Sequence, residues 1–103
     1  MARALSVSVF MSSSSDTDYY RLSLPAGRTL TATLTPNASS DYDLFVYNSN
    51  GTLIGRSERG TGLVDSVTVT NTGTSTFTRY VRVVYWSGGT GATNGKYTLN
   101  MNW

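Results

Sequence analysis

The stretch Asp41-Tyr42-Asp43-Leu44-Phe45-Val46-Tyr47, followed by Asn48-Ser49-Asn50-Gly51 and then Thr52 to Ser57, decides the fold class. In an extended chain successive side chains point to opposite faces, so Tyr42, Leu44 and Val46 share one side and Asp43, Phe45 and Tyr47 the other. Aromatic and β-branched residues suit such a pleated surface. An Asn-Gly pair between two runs of this kind is a strong short-range hairpin signal. The stretch therefore predicts a strand, a tight turn and a return strand.

The same period of two continues in both directions. Leu5, Val7 and Val9 alternate with Ser6 and Ser8, then a Ser-rich connector runs from Met11 to Thr17. Tyr20, Leu22 and Leu24 mark the next strand, and Pro25-Ala26-Gly27 supplies the fixed and the permissive φ of a type II turn. Leu30, Ala32 and Leu34 alternate with Thr31, Thr33 and Thr35, which face water. Val64 to Thr70, Phe77 to Trp86 and Tyr97 to Trp103 complete the set, with a glycine-rich loop from Ser87 to Gly95 expected to be mobile. No helix is predicted. About eight short strands at regular spacing imply an all-β, two-layer antiparallel β-sandwich of jelly-roll-like form.

With 103 residues the chain is expected to be a single domain spanning 1–103, residues 1–4 being linker or added sequence. Charged residues make up 14% and hydrophobic residues 39%, which argues against disorder. There is no Cys and no His. Disulfides, thiolate or imidazole metal sites, and Ser-His-Asp or Cys-His nucleophiles are therefore excluded. The formal net charge of +2 includes no cluster suited to a row of phosphates, so no nucleic-acid partner is expected. No apolar run approaches the roughly 18 residues of a membrane span. No signal peptide is evident at the start, consistent with a mature or excised segment.

Two groups of residues carry candidate chemistry. Asp16, Asp18, Asp41 and Asp43 form two Asp-x-Asp pairs at strand entrances, each pair on one face. Oxygen clusters of this type suit calcium. The plainer alternative is that such Asp side chains bond turn amides and protect sheet edges. A glycosidase pair would need a deep cleft and burial to separate two carboxyl pKa values, and solvated strand entrances are expected to provide neither. Calcium at Asp16, Asp18, Asp41 and Asp43 stands beside that plainer alternative, and no enzyme activity is expected.

The second group is aromatic. Phe45 and Tyr47 fall opposite the core side of their strand, as do Tyr80, Arg82, Val84 and Trp86 in the long strand. A two-layer sandwich buries only one side of each sheet. Either cross-strand aromatic pairs merely stabilise the sheet, or Phe45, Tyr47, Tyr80, Arg82 and Trp86 form a binding face.

The motifs Asp16-Thr17-Asp18-Tyr19-Tyr20-Arg21-Leu22, Pro25-Ala26-Gly27, Asp41 to Tyr47, Asn50-Gly51, Tyr80-Val81-Arg82-Val83, Ser87-Gly88 and Lys96-Tyr97-Thr98-Leu99 follow one another across nearly the whole chain. In this order the sequence resembles the bacterial pre-peptidase C-terminal domain. The resemblance implies a small β-sandwich appended to secreted peptidases and other exoenzymes, often removed on maturation, with collagenase relatives that bind collagen and calcium. It implies an extracellular accessory domain of a hydrolase, with the parent catalytic domain and an insoluble protein polymer as partners. A carbohydrate-binding module and a cleaved secretion appendage without ligand are the alternatives. Trp86 matches a position where collagen-binding relatives place a contacting aromatic, whereas Val84 replaces a frequent Tyr. The relatives also draw calcium ligands from an acidic linker, and here only Arg3 is charged before Asp16, so the resemblance implies that calcium is a weak structural ligand at most. The loop before Lys96 is longer than the short Ser-Gly connection of the family.

Overall fold

The computed structural model describes residues 3–11, 13 and 17–103, the side chains of Ala92 and Thr93 excepted. Eight strands form in chain order: β1 (Ala4–Phe10), β2 (Thr17–Leu24), β3 (Thr29–Pro36), β4 (Asp41–Tyr47), β5 (Leu53–Ser57), β6 (Asp65–Thr70), β7 (Phe77–Ser87) and β8 (Lys96–Asn102). They build two four-stranded antiparallel sheets, ordered β1-β8-β3-β6 and β2-β7-β4-β5. First pairs with last, second with seventh, third with sixth and fourth with fifth, as in a long hairpin rolled over on itself. This is the jelly-roll arrangement, and the all-β sandwich expected from the sequence is the fold observed.

The alternation seen in the sequence sets the core. Leu22, Leu24, Leu30, Ala32, Leu34, Tyr42, Leu44, Val46, Val81, Val83, Leu99 and Met101 point inward from the two sheets and are buried. The turn at Pro25 is of type II, with the Arg28 amide donating to the Pro25 carbonyl at 3.1 Å and φ at +77° on Gly27. The Asn48–Thr52 hairpin closes around an Asn side chain: Asn48 Oδ1 accepts from the amides of Asn50 and Thr52 at 3.1 and 3.0 Å. Here the side chain takes the place of a backbone acceptor.

Three features depart from the sequence expectation. Strand β1 alternates like a core strand, yet Leu5 and Val9 are exposed, because β1 is the outer edge of its sheet with β8 on one side only. Met11, in the Ser-rich connector, is fully buried. The glycine-rich loop contains one helical turn, α1 (Gly91–Asn94), which is tied to Met11 through Gly91 N–H···O=C (2.6 Å) and Met11 N–H···O=C of Gly95 (2.8 Å). The loop before Lys96 thus caps one end of the core rather than hanging free.

Candidate functional site

The outer side of the β2-β7-β4-β5 sheet carries the aromatic residues singled out from the sequence. Register places Phe45 opposite Arg82 and Tyr47 opposite Tyr80 across the β4–β7 pair. On the other flank of β7, Tyr19 lies opposite Arg82 and Arg21 opposite Tyr80. Tyr19 is a member of this face that the sequence argument missed. Its alternation with the inward Tyr20 was the available signal.

Arg82 organises the face. Its Nε donates to Thr17 Oγ1 at 3.0 Å, one terminal nitrogen donates to the Tyr47 hydroxyl at 3.2 Å, and the guanidinium lies 5.4 Å from the centroid of the Tyr19 ring. The Thr17 hydroxyl in turn donates to the Val83 carbonyl at 3.1 Å. Rings and guanidinium are thus held in place before any partner arrives, which lowers the entropy lost on association. Tyr19 is 58% exposed and Trp86 71%, more than any other large apolar or aromatic side chain on the exposed hydrophobic surface. Tyr19, Tyr47, Gly51, Tyr80 and Arg82 line a cleft of about 370 Å³ at one end of the face. Asp41, Asp43, Phe45, Glu58, Val84 and Trp86 line a second, of about 420 Å³, at the other.

The second cleft leads to an acidic cluster. Ligand oxygens of Asp41, Asp43 and Asp65 lie within 4.8 Å of one another. Asp41 and Asp43 come from the start of β4, and Asp65 from the start of β6 in the opposite sheet. The segment leading into Asp41 is held tightly: a Cβ on Gly88 would sit 2.4 Å from the Ser40 Cα, so only glycine allows this approach, and Ser40 Oγ accepts from the Gly89 amide at 2.9 Å. Asp65 Oδ1 accepts from Ser57 Oγ at 2.7 Å and from the Arg59 amide at 2.8 Å.

Expected in solvent, these carboxylates are instead buried, and that corrects the premise on which their pKa values were thought ordinary. Burial first, then the neighbouring charges of Asp41, Asp65 and Glu58, push the Asp43 carboxyl up to about 7. Burial also raises Asp65, against the opposing hydrogen bonds from Ser57 and Arg59. The three groups crowd together more closely than the roughly 5 to 9.5 Å that separates the two carboxyls of a glycosidase across its substrate.

Asp18 is not part of this cluster. Asp16 lies outside the described residues. Asp18 points inward from β2, where the Tyr97 hydroxyl donates to its Oδ2 at 2.6 Å and the Tyr20 hydroxyl sits 2.8 Å from that of Tyr97. Burial and these partners hold the Tyr97 hydroxyl far above the ordinary range. The structure brings Asp41 and Asp43 to Asp65, 22 or more residues further on, a residue the sequence reading did not single out.

The sequence matches no known family profile and no curated protein. Among solved structures, the pre-peptidase C-terminal domain of a collagenase from Bacillus anthracis superposes with a TM-score of 0.67 at 9% identity, covering 94% of this chain and 87% of that domain. The chain has the fold of that domain. PliG of Aeromonas hydrophila, a periplasmic inhibitor of g-type lysozyme, aligns at a TM-score of 0.50 and 18% identity over 98% of this chain and 82% of its own. A protein of Bacillus endospore appendages, described as disulfide-linked pili, aligns at 0.56 and 14% over 100% and 86%. No helix is long and apolar enough to cross a membrane among the described residues.

Proposed function

We propose that this chain is a non-catalytic accessory domain of a secreted bacterial hydrolase, and that it holds an insoluble protein polymer against the outer face of the β2-β7-β4-β5 sheet. The reading rests on one observation: Tyr19, Phe45, Tyr47, Tyr80 and Trp86 share a solvent-facing side of the sheet, where Arg82 is bonded to Tyr47 and lies over the Tyr19 ring. Aromatic and Arg side chains of restricted mobility are the residues that dominate binding energy where proteins associate. The likeness to a collagenase accessory domain supports the attachment to a hydrolase and a protein polymer as ligand. The same fold occurs in a lysozyme inhibitor and in a pilus protein, so the face rather than the fold carries the argument.

Retention on insoluble collagen, casein, chitin and cellulose tests it. The domain should be retained on a protein polymer, and Trp86→Ala should weaken retention about tenfold or more while leaving the melting point almost unchanged, since it opens no core cavity. Val83→Ala, three positions earlier on the buried side, should lower stability by about 1 to 3 kcal/mol and leave retention intact. Retention on chitin or cellulose alone would favour the carbohydrate-binding alternative. Retention on nothing would favour a secretion appendage without ligand.

A further inference from the structure

We propose that Asp41, Asp43 and Asp65 form a calcium site that ties the start of β4 to the start of β6, and so one sheet of the sandwich to the other. Crowding of acidic groups alone would not carry this. The hydrogen bonds around them do. Asp65 is 1% exposed, and its Oδ1 is taken by Ser57 and the Arg59 amide, while its Oδ2 is buried with no hydrogen-bond partner. Asp41, 9% exposed, leaves its Oδ1 buried and equally without partner. Buried polar atoms are paired in nearly all native structures, and an exception asks for a missing ligand. Two such orphans from carboxylates of one cluster ask for a cation.

The chemistry of the donor set selects which cation. The three clustered side chains offer carboxylate oxygens, and the chain holds no Cys or His, so soft or borderline metals find none of their preferred donors. Two oxygens on one calcium ion can be separated by at most twice the 2.3 to 2.6 Å calcium–oxygen distance, roughly 4.6 to 5.2 Å. The cluster oxygens, all within 4.8 Å of one another, can be spanned by calcium at the longer of these bond lengths. Calcium tolerates an irregular shell of 6 to 8 oxygens, and Asp41 and Asp43 line the cleft that Glu58 and Trp86 also line, which leaves the cluster open to solvent oxygens. Magnesium prefers a near-ideal octahedron with most of its waters kept and is less suited to three protein carboxylates. This site is separate from the entrance of β2, where Asp18 is already engaged by Tyr97.

The proposal is independent of polymer binding and is tested without any polymer. The whole domain is melted in chelator and in rising free calcium or magnesium, alongside Asp65→Asn, Asp43→Asn and Asp18→Asn. Calcium should raise the wild-type melting point by an amount on the order of 10 °C once it exceeds the dissociation constant about 100-fold. Asp65→Asn and Asp43→Asn should lose that response, and Asp18→Asn should keep it. In chelator Asp65→Asn should melt no lower than wild type, because the amide keeps an oxygen for Ser57 and Arg59 and removes a like charge. Should Asp65→Asn fail to fold, terbium luminescence of the wild-type domain, sensitised by Trp86 in the same cleft and quenched by added calcium, carries the test. A wild-type domain that neither shifts with calcium nor sensitises terbium overturns the site. So does a calcium response that survives Asp65→Asn or disappears in Asp18→Asn alone, and so does an equal response to magnesium.

Discussion

The two outer faces of this sandwich are built on the same pleat and yet differ in chemistry. On the β1-β8-β3-β6 sheet the outward residues are Thr29, Thr31, Thr33 and Thr35 of β3, Ser66, Thr68 and Thr70 of β6, Lys96, Thr98, Asn100 and Asn102 of β8, and Ser6 and Ser8 of β1, with Phe10 at the end of β1 the one large apolar side chain among them. They pair across strands, Thr31 with Thr68 and Thr33 with Asn100, and the Thr29 and Thr70 hydroxyls meet at 2.9 Å. On the β2-β7-β4-β5 sheet the corresponding positions hold Tyr19, Arg21, Phe45, Tyr47, Tyr80, Arg82 and Trp86. The first face shows that a small polar surface is enough for a sheet of this size to form. Folding therefore does not require the aromatic surface of the second, and that difference supports a role in recognition.

Four experiments test or sharpen the contrast. The largest effects belong to neither face. Leu99→Ala, beneath the polar face, and Leu44→Ala, beneath the aromatic one, should each lower stability by about 2 to 5 kcal/mol in denaturant unfolding, since both side chains are fully buried in one shared core. A loss at one position only would mean that the sheets carry separate cores.

Replacing Tyr19, Tyr80 and Trp86 together with Thr makes the aromatic face resemble its counterpart. Retention on the protein polymer should then fall about 100-fold or more, with a cooperative unfolding transition preserved. Unchanged retention would remove the functional meaning of the contrast.

A third effect, a few kcal/mol at most, separates the faces by pH, because the buried Asp43 lines the cleft on the aromatic one. Asp43 is raised from 3.8 to about 7 in the folded chain, so the native state holds this proton more tightly than the unfolded state does. In chelator, the stabilisation should be fully present below about pH 4 and decline as pH rises towards 7, and Asp43→Asn should flatten that decline. A wild-type stability that rises steadily over this range would contradict the burial of Asp43.

The smallest effect is expected on the polar face. Thr33→Ser should change stability by no more than about 0.5 kcal/mol and retention not at all. A loss of retention there would place the ligand on the wrong sheet.

Much of this was legible in the residues themselves. The inward set Tyr42, Leu44 and Val46 and the outward set Phe45 and Tyr47 follow from alternation, and burial agrees with it from Leu44 to Tyr47 in β4 and from Tyr80 to Val84 in β7, whereas Asp43, on the outward side, is buried against it. The type II turn at Pro25-Ala26-Gly27 and the hairpin at Asn48 to Gly51 were legible for the same reason, being decided within a few residues. The acidic site was only half legible. Asp41 and Asp43 are two residues apart and share a strand, whereas Asp65 reaches them from the other sheet. Nothing in the local pattern distinguishes it from Asp18.

By itself, then, the sequence determined the periodicity, the turns and the side of each strand on which a residue falls, because these depend on backbone geometry and near neighbours. Only the tertiary structure decided that β1 is an open edge with Leu5 and Val9 in solvent, and that Met11 is drawn into the core by the turn at Gly91–Asn94. It likewise decided that Asp18 is taken by Tyr97 and that Asp65 completes the cluster with Asp41 and Asp43. The physical reason is the order of pairing. In a hairpin rolled over on itself, first strand meets last and the two sheets close on each other. Burial, and with it the pKa of a carboxylate, is then set by chain segments far away in sequence.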